Sequence, residues 1–171
     1  MAVATILITP EILMILGGKA YMDAIYVMPP VTAGCIMQFI YCMYVNVEQY
    51  EKKTTGMAFA SMIAAAINGV LNAIFIPMYG YIAAAYTTYI GYLCLMLMHM
   101  FLVNRIGMRK VYQNTKIVVI AILSSALIFA ANLILGNRLL RYIVLVIYLI
   151  VGIAFVMKHR NYFQAILSKG K

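Results

Sequence analysis

The chain has 171 residues, of which 66% are hydrophobic and 10% charged, with 13 Lys or Arg against 4 Asp or Glu. A soluble domain carries roughly a quarter charged residues, so this chain has too few charges to cover the outside of a water-soluble fold. Strand-built membrane barrels are excluded too, because they alternate apolar and polar residues over about ten positions, whereas the apolar runs here are continuous. What remains is an all-α, polytopic transmembrane helix bundle, since helices satisfy their own backbone hydrogen bonds and can cross lipid singly.

Six hydrophobic segments are predicted, at residues 2–16, 25–47, 57–78, 82–103, 117–135 and 139–157. The first is truncated. As a straight helix it covers about 22 Å, against a hydrocarbon core of about 30 Å, and Pro10-Glu11 interrupts it. It has neither the basic start nor the small-residue cleavage site of a signal peptide, and looks like the second half of a span. Asp23 and Glu48 bracket the second segment, and all four acids (Glu11, Asp23, Glu48, Glu51) are expected in loops or at span ends. Cys35 and Cys42 are seven residues apart, so they share a helix face; buried apolar filler is the expected role for them and for Cys94.

From Lys53 to Arg105 there are 51 residues without a formal charge. A span needs about 20, so this stretch holds two spans and a tight connection. On the first of them Ala60, Ala64, Asn68 and Asn72 recur every fourth residue, beside Ser61, Ala65, Gly69 and Ala73. Together the rows make one broad face of small and polar residues. Small residues let helix backbones approach, and asparagines hydrogen-bond across the contact. Helix-packing glue is the expected role; the alternative is a polar wall of a translocation cavity. Pro77 is expected to end this helix and Gly80 to permit the turn into the next. The following span opens with Ala83, Ala84, Ala85, Thr87 and Thr88, again small, so the two should form a close antiparallel hairpin.

Tyr41, Tyr44, Tyr86, Tyr89, Tyr92 and Tyr148 fall deep within predicted spans, where their hydroxyls need partners. The expected partners are other helices, with substrate contact as the alternative for one or two. His99 is expected to be a hydrogen-bonded interface residue, with a proton-relay role as the alternative; His159 is isolated like it. The sixth segment reaches spanning length if Arg141 snorkels to the interface. No buried Arg or Lys is expected.

With an inside N-terminus, inside segments hold ten Lys or Arg and outside loops three (Lys19, Arg138, Arg141). That asymmetry follows the positive-inside rule and accounts for the net charge of +9 without nucleic acid as a partner. There is no glycine-rich phosphate loop, no GxGxxG, no GxSxG and no Cys/His metal spacing. Neither a cofactor nor an enzymatic activity is therefore expected.

One run is more specific. Lys52-Lys53-Thr54, Ile67-Asn68-Gly69-Val70-Leu71-Asn72, Ile76-Pro77, Tyr79-Gly80 and Ala83-Ala84-Ala85-Tyr86-Thr87 resemble a signature of bacterial polysaccharide flippases. These belong to the multidrug/oligosaccharidyl-lipid/polysaccharide exporter superfamily. Upstream, Pro10-Glu11-Ile12-Leu13, Leu16-Gly17-Gly18, Tyr21 and Ala24 also resemble the segment before that hairpin, and Ala83 departs from the family's frequent glycine. The resemblance covers residues 9–92 well, and the last two spans by count and position alone.

It implies the C-terminal lobe of a MATE-like flippase, beginning inside the ninth helix. Residues 1–104 would be a partial bundle of four segments, and 105–171 two further spans with a basic cytoplasmic tail. The implied activity is export of a polyprenyl-pyrophosphate-linked oligosaccharide across the plasma membrane, one bundle rocking against another. Asn68, Asn72, Tyr86 and Tyr89 are the candidate cavity residues, and Pro77 and Gly80 would shape the hinge hairpin. The implied partners are membrane lipid and either a separate N-terminal bundle or a second copy. A small membrane scaffold subunit is the reading from another class.

Overall fold

A computed structural model describes residues 2–158. Among them every regular element is helical: α1 (Ala2–Gly17), a 3-10 segment (Lys19–Val27), α2 (Met28–Tyr50), α3 (Thr54–Tyr79), α4 (Tyr81–Arg105), α5 (Asn114–Asn132) and α6 (Arg138–Lys158). Five helical stretches are long and apolar enough to cross a membrane, the 3-10 segment counting with α2, and α1 is a shorter apolar helix. The predicted basic tail, with His159, lies outside the described residues.

Boundaries follow local chemistry. Pro29 and Pro30 open α2 at positions where a missing N–H costs nothing. Gly80, at φ 70° and ψ −163°, closes α3 and starts α4 in one residue, a conformation essentially reserved for glycine. Two expectations about proline fail. α1 runs unbroken through Pro10, and α3 continues past Pro77 to Tyr79. Proline removes one helical hydrogen bond, and in each case the neighbouring turns hold the helix.

α4 lies between α2 and α3, and α5 packs on α1 and α2. The α2 stripe that meets its neighbours is Ala33, Met37, Ile40, Tyr44 and Glu48, all buried, at the three-and-four spacing of one helix face. Met37, Ile40 and Tyr44 close with Met96, Val103 and Ala121 into one apolar cluster. A second joins Ile6, Ile25, Ala33, Ile128, Ala131 and Leu135. Two helices are mostly uncovered: 11% of the apolar window of α3 is buried, and 6% of that of α6. Cys35 and Cys42 are exposed on the bundle's outside rather than buried as filler, because their face of α2 points away from the Ala33–Glu48 stripe.

Candidate functional site

The α3–α4 hairpin is built on one small row. Ala60 and Ala64 are buried, and Gly91 on α4 leaves room for Asn68: a Cβ at Gly91 would stand 3.3 Å from the Asn68 Cβ. The Asn72 side-chain amide donates to Asn68 Oδ1 at 3.3 Å. Across the seam the Thr87 hydroxyl donates to Asn72 Oδ1 and also lies 3.0 Å from the Ala84 carbonyl. The hydrogen-bonding half of the packing expectation therefore holds at Asn72. The second row does not pack as expected. Ser61, Ala65, Gly69 and Ala73 are exposed, and a Cβ added at Gly69 would meet nothing within 4 Å. A four-residue repeat drifts around a helix of 3.6 residues per turn, and one neighbour covers only one of two adjacent rows.

Between the helices Ser61, Asn68, Thr88 and Tyr92 line a cavity of about 200 Å³. Tyr86 lines a separate apolar cavity of about 330 Å³ with Phe75, Tyr79 and Ile90. Tyr86 stacks on Phe129 of α5 with ring centroids 6.1 Å apart, and Tyr89 meets the same ring edge-on at 5.6 Å. The Tyr89 hydroxyl donates to Ser125 Oγ at 3.2 Å. The structure thus joins Asn68 to Asn72, while Tyr86 and Tyr89 turn toward α5. Tyr44, another deep tyrosine, donates to Asn114 Oδ1 at 2.9 Å, and the Asn114 amide donates to Asn104 Oδ1 at 2.7 Å.

Two charged pairings are not named by the sequence reading, although His99 is the hydrogen-bonded interface residue expected from it. Glu48 lies at the end of the α2 span, as expected, but it is buried at 1% exposure and His99 at 0%, and Glu48 Oε2 lies 2.8 Å from His99 Nδ1. The Tyr41 ring lies 5.6 Å from the His99 ring. Glu48 Oε1 and His99 Nε2 have no hydrogen-bond partner among the described residues. Glu48 also lines a cavity of about 400 Å³ with Lys52, Lys53, Thr55, Gly56 and Leu102. Lys52 reaches that rim through a left-handed backbone turn at φ 55°. A signal was present in the sequence. Glu48 continues the Met37–Tyr44 stripe, and His99 sits three residues after Met96 and four before Val103, so both lie on core faces.

At the opposite end Arg141 is 3% exposed and does not snorkel. Its Nη2 donates to Glu11 Oε1, which also accepts the Tyr142 hydroxyl at 2.7 Å. A buried arginine is therefore present, held because a carboxylate on α1 compensates its charge; Glu11 itself lies within α1 and not in a loop. Among the described residues no three His, Cys, Asp or Glu side chains gather in a group that could hold a metal ion.

Comparison with protein-family models, with curated proteins and with solved structures found no match. The class follows from the fold itself: a multi-pass membrane protein, helical throughout its described residues, whose bundle carries buried polar pairs and leaves two helices, α3 and α6, largely uncovered.

Proposed function

We propose that this chain is the C-terminal part of a bacterial plasma-membrane flippase that exports lipid-linked oligosaccharide for cell-surface polysaccharide, and that it is incomplete alone. The observation that carries this reading is the Asn68 groove. Asn68 sits mid-way along a spanning helix, half-exposed, at a mainly apolar cavity between α3 and α4 to which Ser61, Thr88 and Tyr92 add the other polar groups. An asparagine facing hydrocarbon is costly, so polar groups at membrane depth face protein or a wet cavity. A second helical bundle laid against α3 would turn this groove into one wall of such a cavity, the geometry that alternating access requires. The flippase-like residue run supports the same reading. The Lys and Arg distribution supports cytoplasmic placement of the α2–α3 and α4–α5 connections and of the C-terminus.

The exposed row Ser61, Ala65, Gly69 and Ala73 also favours a second reading, a small scaffold subunit that docks a partner helix there. Complementation separates the two. Residues 1–171 are expressed in a strain lacking its polysaccharide flippase, with and without a first six-helix bundle. Restoration that needs both parts is the expected result. Restoration by this chain alone would overturn the incompleteness claim, and failure in both arms would favour the scaffold.

A further inference from the structure

α6 is held to the bundle chiefly at its start, through α1. There Glu11, Arg138, Arg141 and Tyr142 line a cavity of about 440 Å³ whose remaining walls include Met14 and Leu135. The Arg141–Glu11–Tyr142 bonds leave two polar atoms shielded from solvent and without a partner among the described residues: Glu11 Oε2, an acceptor, and Arg141 Nε, a donor. Arg138 adds a second positive charge at the same cavity. Around it the surface is apolar, with Ile15, Leu16 and Leu139 strongly exposed.

An unmet acceptor on a carboxylate and an unmet donor beside a second guanidinium are complementary to a ligand that is both cationic donor and anionic acceptor. We propose that this cavity binds the headgroup of a phosphoethanolamine lipid. Its phosphate is taken by Arg138 and Arg141 Nε, its primary ammonium donates to Glu11 Oε2, and its acyl chains lie along the exposed apolar surfaces of α1 and α6. A glycerol headgroup offers Glu11 Oε2 neutral hydroxyl donors but no positive charge. A quaternary ammonium has no N–H to donate. A soluble zwitterion would lack the apolar surround. This site stands apart from the Asn68 groove and does not depend on the transport reading.

The test is native mass spectrometry of the full chain released from nanodiscs containing phosphatidylethanolamine, phosphatidylcholine and phosphatidylglycerol in equal parts. Phosphatidylethanolamine should be retained about tenfold over each of the others, the equivalent of one charge-assisted hydrogen bond. Arg138→Gln should lower retention of phosphatidylethanolamine by weakening the hold on its phosphate, and Glu11→Gln should erase the preference for ethanolamine over choline. Arg138 is exposed, so its variant tests the site without removing the Arg141 bond. Free phosphoethanolamine should not displace the lipid. Equal retention of the three lipids, unchanged retention in both variants, or displacement by the free headgroup would overturn the proposal.

Discussion

At the residue scale the Glu48–His99 pair is buried on both sides. Truncating one partner of a buried ionisable pair leaves the other unmatched, at about 3–5 kcal/mol, whereas replacing both by apolar residues of similar volume is often neutral. Glu48→Ala or His99→Ala should therefore each lower the thermal midpoint in detergent strongly, and Glu48→Met with His99→Leu together should recover most of the loss. Additive losses would show that the two side chains do not act as a unit. The small row gives a second residue-level test. Ala64→Leu and Gly91→Leu both place bulk against a packed neighbour and should cost about 1–3 kcal/mol. Gly69→Leu opens onto free space and should leave the isolated chain's midpoint unchanged or raised. A loss at Gly69 as large as at Ala64 would mean that the exposed row is covered in solution, by a second copy.

At the element scale the hairpin turns on Gly80. A side chain at φ 70°, ψ −163° costs about 1–3 kcal/mol. The cost is backbone strain and not a clash, since nothing lies within 4 Å of the added Cβ. Gly80→Ala should lower the midpoint by that strain alone, and Met78→Ala, two residues away and exposed, should not. Comparable midpoints for the two variants would show that the turn relaxes to another shape. The turn, the helices and their order were legible in the sequence, because continuous apolar runs and a glycine between them impose a hairpin whatever surrounds it. Which row of α3 meets α4 was not, since Ala60–Asn72 and Ser61–Ala73 are equally small and only the partner's position chooses between them. The Glu48–His99 and Glu11–Arg141 pairings were hidden for a related reason. Their members are 51 and 130 residues apart, and no local periodicity links such positions. Proline misled at both Pro10 and Pro77, where the helix carries on with one backbone bond fewer.

At the scale of the whole molecule the chain is lopsided. α2, α4 and α5 share cores, whereas α3 and α6 present most of their surface outward. Charge is lopsided as well. Lys52, Lys53, Arg105, Arg109, Lys110 and Lys116 cluster around the two connections at one end, and Lys19, Arg138 and Arg141 lie at the other. Reporter fusions read this directly. A cytoplasm-active reporter should work at Lys171 and fail at Gly136, and a periplasm-active one should do the reverse; the opposite pattern would invert the assigned orientation.

The Glu11–Arg141 bond also sets a schedule for biosynthesis. The carboxyl of Glu11 leaves the ribosome 130 residues ahead of its guanidinium partner. At about 5–20 residues per second that is roughly 7–26 s. Through that interval α1 holds an acid whose partner on α6 has not yet been made. Only when α6 enters can this contact form, although α1 already packs through Ile6 on Ile25, Ala33 and Ile128. A ribosome that stops short of residue 141 would therefore release a bundle in which α1 keeps its apolar packing through Ile6 but carries Glu11 without its guanidinium partner, a handle for membrane quality control.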